Sequence, residues 1–269
     1  MTARPTARLT SADISAAKGL RQLVQLNVDG PEQAAAAAAA GIDIIVNGEV
    51  RHWPAIRAAV PDTHLCLSLR NGDQASPTEV LRAAFDALAL GADSLYCPLS
   101  PAMIEPLARE GIPVCAHAGY VPQKTRMTGE RAFGKTADEA RALYHRMKDF
   151  ESAGATLLEL ELVVAPVATL LAQNTGMSVV SIGSGGGCDV TYLFGVDALN
   201  ETPHLPRHAR AWDDFGAEAA RLHLARVAAF TDFREDVANR RFPGPSETVV
   251  APPGVADAFT EWLDRQPQE

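Results

Sequence analysis

Residues Ala155–Glu161 read A-T-L-L-E-L-E. Leu157, Leu158 and Leu160 lie between the turn signal Gly154 and the apolar pair Val163–Val164, so the stretch reads as a buried strand. It nevertheless carries Glu159 and Glu161, and side chains two apart on a strand point the same way. Two carboxylates on one face of a core strand are costly unless something compensates them. One reading is an edge strand with a solvated face. The other is a strand whose inner face looks into the mouth of a barrel.

The flanking chain favours the barrel. Strand-like and helix-like runs alternate, with helix-ending glycines at Gly41, Gly91, Gly111, Gly154 and Gly176. Strands are expected at Leu23–Val28, Ile42–Val46, His64–Leu69, Ser94–Cys97, Pro113–Ala118, Ala155–Glu161, Ser178–Ile182 and Tyr192–Val196. Helices are expected between most of them, for example at Pro31–Ala40, Pro77–Leu90 and Thr136–Ala153. Repeated right-handed strand–helix–strand units give a parallel sheet. Eight of them in 269 residues suit a (β/α)8 TIM barrel, which takes roughly 250 residues. No G-x-G-x-x-G follows the first strand, against a dinucleotide fold. T-S-A-D near position 11 can cap a short helix that plugs the barrel floor. The whole chain, 1–269, reads as one domain with a helical extension from about 212.

Composition narrows the partners. A net charge of −9 argues against nucleic acid or an anionic membrane surface. No apolar run reaches membrane-spanning length, and no signal-peptide pattern opens the chain. Cys66, Cys97, Cys115 and Cys188 form no C-x-x-C pair and read as buried thiols in a reducing cytoplasm.

Barrels place their active sites at the C-terminal ends of the strands. The polar residues expected there are Gln25, Asn27, Asp29, Asn47, Glu49, Ser68, Arg70, Tyr96, His117, Glu159, Glu161 and Ser181. The turn Gly183–Gly187 would offer amides to an anion or, alternatively, form a tight barrel corner. No H-E-x-x-H or G-x-S-x-G occurs, so the chemistry on offer is carboxylate acid–base work beside hydrogen-bond donors.

Several runs carry a family likeness: E-G-I-P-V-C-A-H-A-G-Y-V-P-Q (110–123), G-K-T-A-D-E-A (134–140), S-I-G-S-G-G-G-C-D (181–189), H-L-P-R (204–207) and F-P-G-P (242–245). A fainter one is G-I-D-I-I-V-N-G-E (41–49). In order and spacing the chain resembles ketopantoate hydroxymethyltransferase, of the phosphoenolpyruvate mutase/isocitrate lyase superfamily. The resemblance implies a (β/α)8 barrel that swaps its last helix between subunits, hence a homo-oligomer. It implies transfer of a hydroxymethyl group from methylenetetrahydrofolate to a small oxo acid, with Mg²⁺ stabilising the enolate.

By the same resemblance Glu161 is the general base and His117 the pocket histidine. Glu49 stands where a metal-binding aspartate is expected, lengthened by one carbon. Ser68 replaces the second metal-binding aspartate, Tyr96 a lysine, Pro98 a glutamate and Val50 a serine. Arg70, two residues beyond Ser68, is the candidate cation facing Glu159 or an anionic substrate. The expected substrate contacts are Asn27, Ser68, Arg70, Tyr96, Glu159, Ser181 and Gly183. The expected activity is carbon–carbon bond formation or cleavage next to a carbonyl, on a substrate other than ketopantoate's precursor. A superfamily lyase or hydrolase, or a non-catalytic binding barrel, are the alternatives.

Overall fold

The computed structural model describes residues 8–69 and 72–266. Its first unit, ending at Asp214, is a closed barrel of eight parallel strands in sequence order. The strands are β1 (Leu23–Asn27), β2 (Ile44–Asn47), β3 (His64–Ser68), β4 (Ser94–Tyr96), β5 (Val114–Gly119), β6 (Leu157–Glu161), β7 (Ser178–Ile182) and β8 (Val190–Phe194). β1 pairs with β8, so no edge is left, and the edge-strand reading of Glu159 and Glu161 falls away. The eighth strand begins two residues earlier than expected.

Helices α1 (Ser11–Ala16), α2 (Pro31–Ala40), α3 (Trp53–Ala59), α4 (Pro77–Ala89) and α5 (Pro101–Arg109) come first. A short α6 (Thr125–Thr128), then α7 (Ala137–Ser152), α8 (Ala165–Gln173) and a short α9 (Gly195–Ala198) follow. Starts and stops obey capping chemistry. Ser76 and Thr136 accept from the amides of Glu79 and Glu139, and Gly41 closes α2 at φ +93°.

Strand alternation divides the core in two. Outward residues such as Ile45, Leu67, Leu95, Ala116, Leu158 and Val179 are buried under the helices. Inward residues Leu23, Ile44, Cys66, Cys115, Leu157 and Val190 fill the lower barrel together with Ile14 of α1. That helix is the expected floor plug. Its capping box at Thr10 and Asp13 is intact, and the Lys18 ammonium following it donates to the Ala172 and Met177 carbonyls and to Asp189. All four cysteines are buried and free.

No helix separates β7 from β8; residues 183–189 alone make the crossover. Parallel strands ordinarily need about a dozen residues to reconnect. Here glycines allow the short path: Gly183 and Gly185 have φ of +66° and +86°. A Cβ on Gly187 would fall 2.0 Å from Thr169 Oγ1. The tight-corner reading of this turn is the one observed.

The second unit runs from Phe215 and holds α10 (Phe215–Ala238) and α11 (Val255–Leu263). Neither helix buries a residue within the single chain. Among the described residues no helix is long and apolar enough to cross a membrane.

Candidate active site

The parity that turns Leu157 inward also turns Glu159 and Glu161 inward, at successive levels toward the C-terminal mouth. On β5 the register sets His117 beside Glu159 and Gly119 beside Glu161. On the next strand round, Tyr96 sits beside Cys115. His117, Glu159 and Glu161 therefore converge because three inward positions on two neighbouring strands leave them no other direction.

His117 is 1 % exposed. Its Nδ1 lies 2.5 Å from the Tyr96 hydroxyl. Its Nε2 is 3.6 Å from Glu159 Oε1 and 3.4 Å from Glu161 Oε2, too far for a good hydrogen bond, and has no hydrogen-bond partner. A buried nitrogen left in this state calls for an occupant of the pocket. Burial pushes the Glu159 carboxyl up to about 7, opposed by His117 and reinforced by the negative charge of Glu161. Burial, and then the Glu159 charge, also drive the Tyr96 and Tyr192 phenols well above their ordinary range.

The end of β6 is held by an unusual backbone arrangement. Leu162, directly after Glu161, sits at φ +51°. The buried Ser184 hydroxyl donates to the Leu160 carbonyl at 2.8 Å and accepts from the Val163 amide at 2.9 Å. The Glu161 carbonyl accepts from the Tyr120 amide. Gly119 lies so close that a Cβ there would stand 2.3 Å from that carbonyl oxygen. The glycine crossover thus delivers a serine that clamps the backbone on both sides of Glu161.

Other expected site residues divide. Asn27 shares the inward parity of Leu23. Ser68 is inward beside Tyr96 in register, against Gly48. Ser181 is not in the mouth: it shares the outer parity of Val179, and its hydroxyl donates to the Gly185 carbonyl at 2.7 Å. Gly183 is packed rather than open, since a Cβ would meet Leu162 Cδ2 at 2.7 Å and His208 Cβ at 3.1 Å. Asn47 likewise turns outward, donating to the Val28 carbonyl and accepting from the Glu49 amide. Arg70 lies outside the described residues. Tyr192 and Ser184 are site residues that the sequence reading did not single out. Inward alternation along Val190–Phe194 would have pointed to the tyrosine.

A metal at Glu49 and Ser68 does not fit. Glu49 has a 43 % exposed side chain with Arg51 Nε at 4.0 Å, and Ser68 supplies a hydroxyl where Mg²⁺ favours a second carboxylate. The tight donor group is instead His117, Glu159 and Glu161, with ligand atoms within 4.8 Å of one another. That group could hold an ion, but an imidazole with two carboxylates suits a transition metal better than Mg²⁺.

Solved structures share the architecture. A 2,3-dimethylmalate lyase of the phosphoenolpyruvate mutase/isocitrate lyase superfamily superposes with a TM-score of 0.52 at 14 % identity, over 96 % of this chain and all of that one. A phosphonopyruvate hydrolase, solved with oxalate and Mg²⁺, gives 0.52 at 12 % identity over 96 % and 97 %. At such identities the likeness concerns the fold.

Sequence relatives say more. The 3-methyl-2-oxobutanoate hydroxymethyltransferase of Halorhodospira halophila is 41 % identical over 151 residues, 56 % of this chain but only 52 % of that protein. The protein of that name from Ignicoccus hospitalis is 31 % identical over 72 % of this chain and 73 % of its own. The one from Aeropyrum pernix is 27 % identical over 94 % and 99 %. The family profile for ketopantoate hydroxymethyltransferase matches residues 2–245, nearly the whole chain. With an eight-stranded barrel, an inward glutamate pair and that match in hand, the chain belongs to the ketopantoate hydroxymethyltransferase family.

Proposed function

We propose that this barrel makes or breaks a carbon–carbon bond next to the carbonyl of a small oxo acid, by hydroxymethyl transfer or a related aldol-type step. The observation that carries the reading is the convergence of Glu161 on the unpartnered Nε2 of His117 at the barrel mouth. Glu161 takes the proton from the carbon next to the carbonyl. The electron pair moves onto the carbonyl oxygen, which the Nε2–H of His117 steadies as an enolate. Tyr96, donating to Nδ1, fixes the tautomer that places the hydrogen on Nε2. Glu159, its carboxyl pushed up to about 7 by burial, is about half protonated at neutral pH and so adds less than a full second charge beside the developing oxyanion. The enolate carbon then attacks formaldehyde, which water releases from methylenetetrahydrofolate (the donor by family likeness) with departure of tetrahydrofolate, and the new alkoxide takes back the proton held by Glu161. No step is assigned to a metal.

The substrate differs from that of the named relatives. Ser68 and Tyr96 stand where the family likeness places a carboxylate and a lysine, so an anionic head group must be met differently. Asn27 and Ser68 line the wall that would meet it.

Exchange of the α-proton in D₂O, followed by proton NMR over a panel of 2-oxo acids that includes 3-methyl-2-oxobutanoate, tests the reading without a folate. The wild type should exchange at least one acid. Glu161→Gln should bind that acid and not exchange it. No exchange across the panel, or undiminished exchange by Glu161→Gln, would overturn the assignment.

The apolar residues that α10 and α11 leave exposed, among them Phe230, Phe233, Phe259 and Trp262, are proposed to meet a second copy of the chain. Light scattering should give a mass that is a multiple of 28.6 kDa; a monomer at micromolar concentration would refute this.

A further inference from the structure

We propose that a pocket outside the barrel wall, between α7 and the loop that joins it to β5, binds a small organic anion through a phosphate or carboxylate head group. The hollow measures about 290 Å³, enough for a small metabolite. Three cations reach it from two segments: Lys124 and Arg131 from the loop and Arg146 from α7. The carboxylate in its lining, Glu139, is already engaged, by Arg131 at 2.7 Å and by the Lys135 amide at 2.9 Å. The positive charge of Lys124 and Arg146 is therefore not matched within the lining. Both line the hollow, and burial first, then the Arg146 charge, weakens the hold of Lys124 on its proton. An anion between them would relieve both effects.

Geometry favours an organic anion over a bare ion. Phe133, Leu143 and Val121 give the hollow an apolar lining. The Arg131 guanidinium lies 4.1 Å over the Phe133 ring, and that of Arg146 lies 4.4 Å over Phe150, so both forks are held rather than free to swing. The site lies on the outer side of the wall that carries the reaction centre. Ala118, on the outward face of β5, lines the pocket, whereas Glu159 and Glu161 lie on the other side of the wall. His117 and Gly119 also border it, so an occupant would press on the strand that carries the catalytic imidazole.

Titration calorimetry on the full chain at low ionic strength tests this, with pyrophosphate as the phosphoryl probe and tricarballylate as the carboxylate probe. One site per chain is expected for at least one probe, and the probe that binds names the head group. Lys124→Gln and Arg146→Gln should each weaken binding by about tenfold or more, as loss of a charge-assisted contact does. Glu161→Gln should leave it unchanged. Absence of binding by both probes at millimolar concentration would overturn the proposal. So would binding that survives Lys124→Gln, a loop variant that does not depend on the packing of Arg146 on Phe150. Binding lost in Glu161→Gln would place the anion in the barrel mouth instead and would equally refute the assignment.

Discussion

Glu159→Gln removes the charge of one buried carboxyl while keeping its shape, and its effect on stability should depend strongly on pH. In the folded barrel the Glu159 carboxyl titrates at about 7, against an ordinary value of 4.5 in an unfolded chain. Between those values the folded state holds a proton that the unfolded state has released. Stability contributed by this group is therefore complete below pH 4.5 and is lost as pH rises through 7. The full difference is on the order of 3 kcal/mol, at about 1.4 kcal/mol per tenfold change in proton affinity. Glutamine stays neutral throughout. The variant should match the wild type near pH 4.5 and exceed it by up to about 3 kcal/mol at pH 8.5.

Urea unfolding reports this directly. EDTA should be present, and Trp212 and Trp262 replaced by phenylalanine so that the buried Trp53 supplies the signal. The result that refutes the reasoning is a constant difference between variant and wild type across this range. Glu159 would then be charged at neutral pH, and its role beside the oxyanion would have to be withdrawn.

Tyr96→Phe removes the hydroxyl 2.5 Å from His117 Nδ1 and leaves a buried nitrogen unpaired. It should cost about 1–3 kcal/mol in urea unfolding and slow α-proton exchange more than it weakens substrate binding; equal loss of both would deny the tyrosine a role in setting the tautomer. Ser184→Ala strips two backbone partners from the buried end of β6. Denaturation should show a loss of about 1–3 kcal/mol, and exchange by Glu161 should fall while Tyr96 and His117 are untouched; a neutral result would mean the strained turn at Leu162 holds without its clamp.

The barrel and its polar centre were legible for a physical reason. Helix-stopping glycines and capping residues are local signals, and the inward pairing of Glu159 with Glu161 follows from a period of two within a single strand. The misplacement of Ser181 has a simple cause. In a parallel barrel both faces of a strand are buried, so V-V-S-I in β7 gives no contrast to say which residues look inward. Its position at the strand end suggests the mouth for Ser181, whereas strand alternation sends it outward to Gly185. A strand expected at Tyr192–Val196 puts Tyr192 at its first position, whereas in the observed β8 it is the central inward residue. Gly183 carried a chemical signal, open amides, that only the packing of Leu162 and His208 against it could cancel. The Ser184 clamp joins segments 21 and 24 residues apart through backbone atoms, and no side-chain pattern announces such a bond.

The floor plug has a bearing on how the chain is born. Lys18 emerges early from a ribosome, yet its three partners, at positions 172, 177 and 189, are among the last parts of the barrel to be synthesised. β1 waits equally long for β8. During translation the nascent chain must carry an open-sided sheet and a solvated ammonium until residue 194 clears the exit tunnel. Closure is thus a late, single event, and synthesis that stalls before it leaves β1 with a bare flank for some other strand to capture.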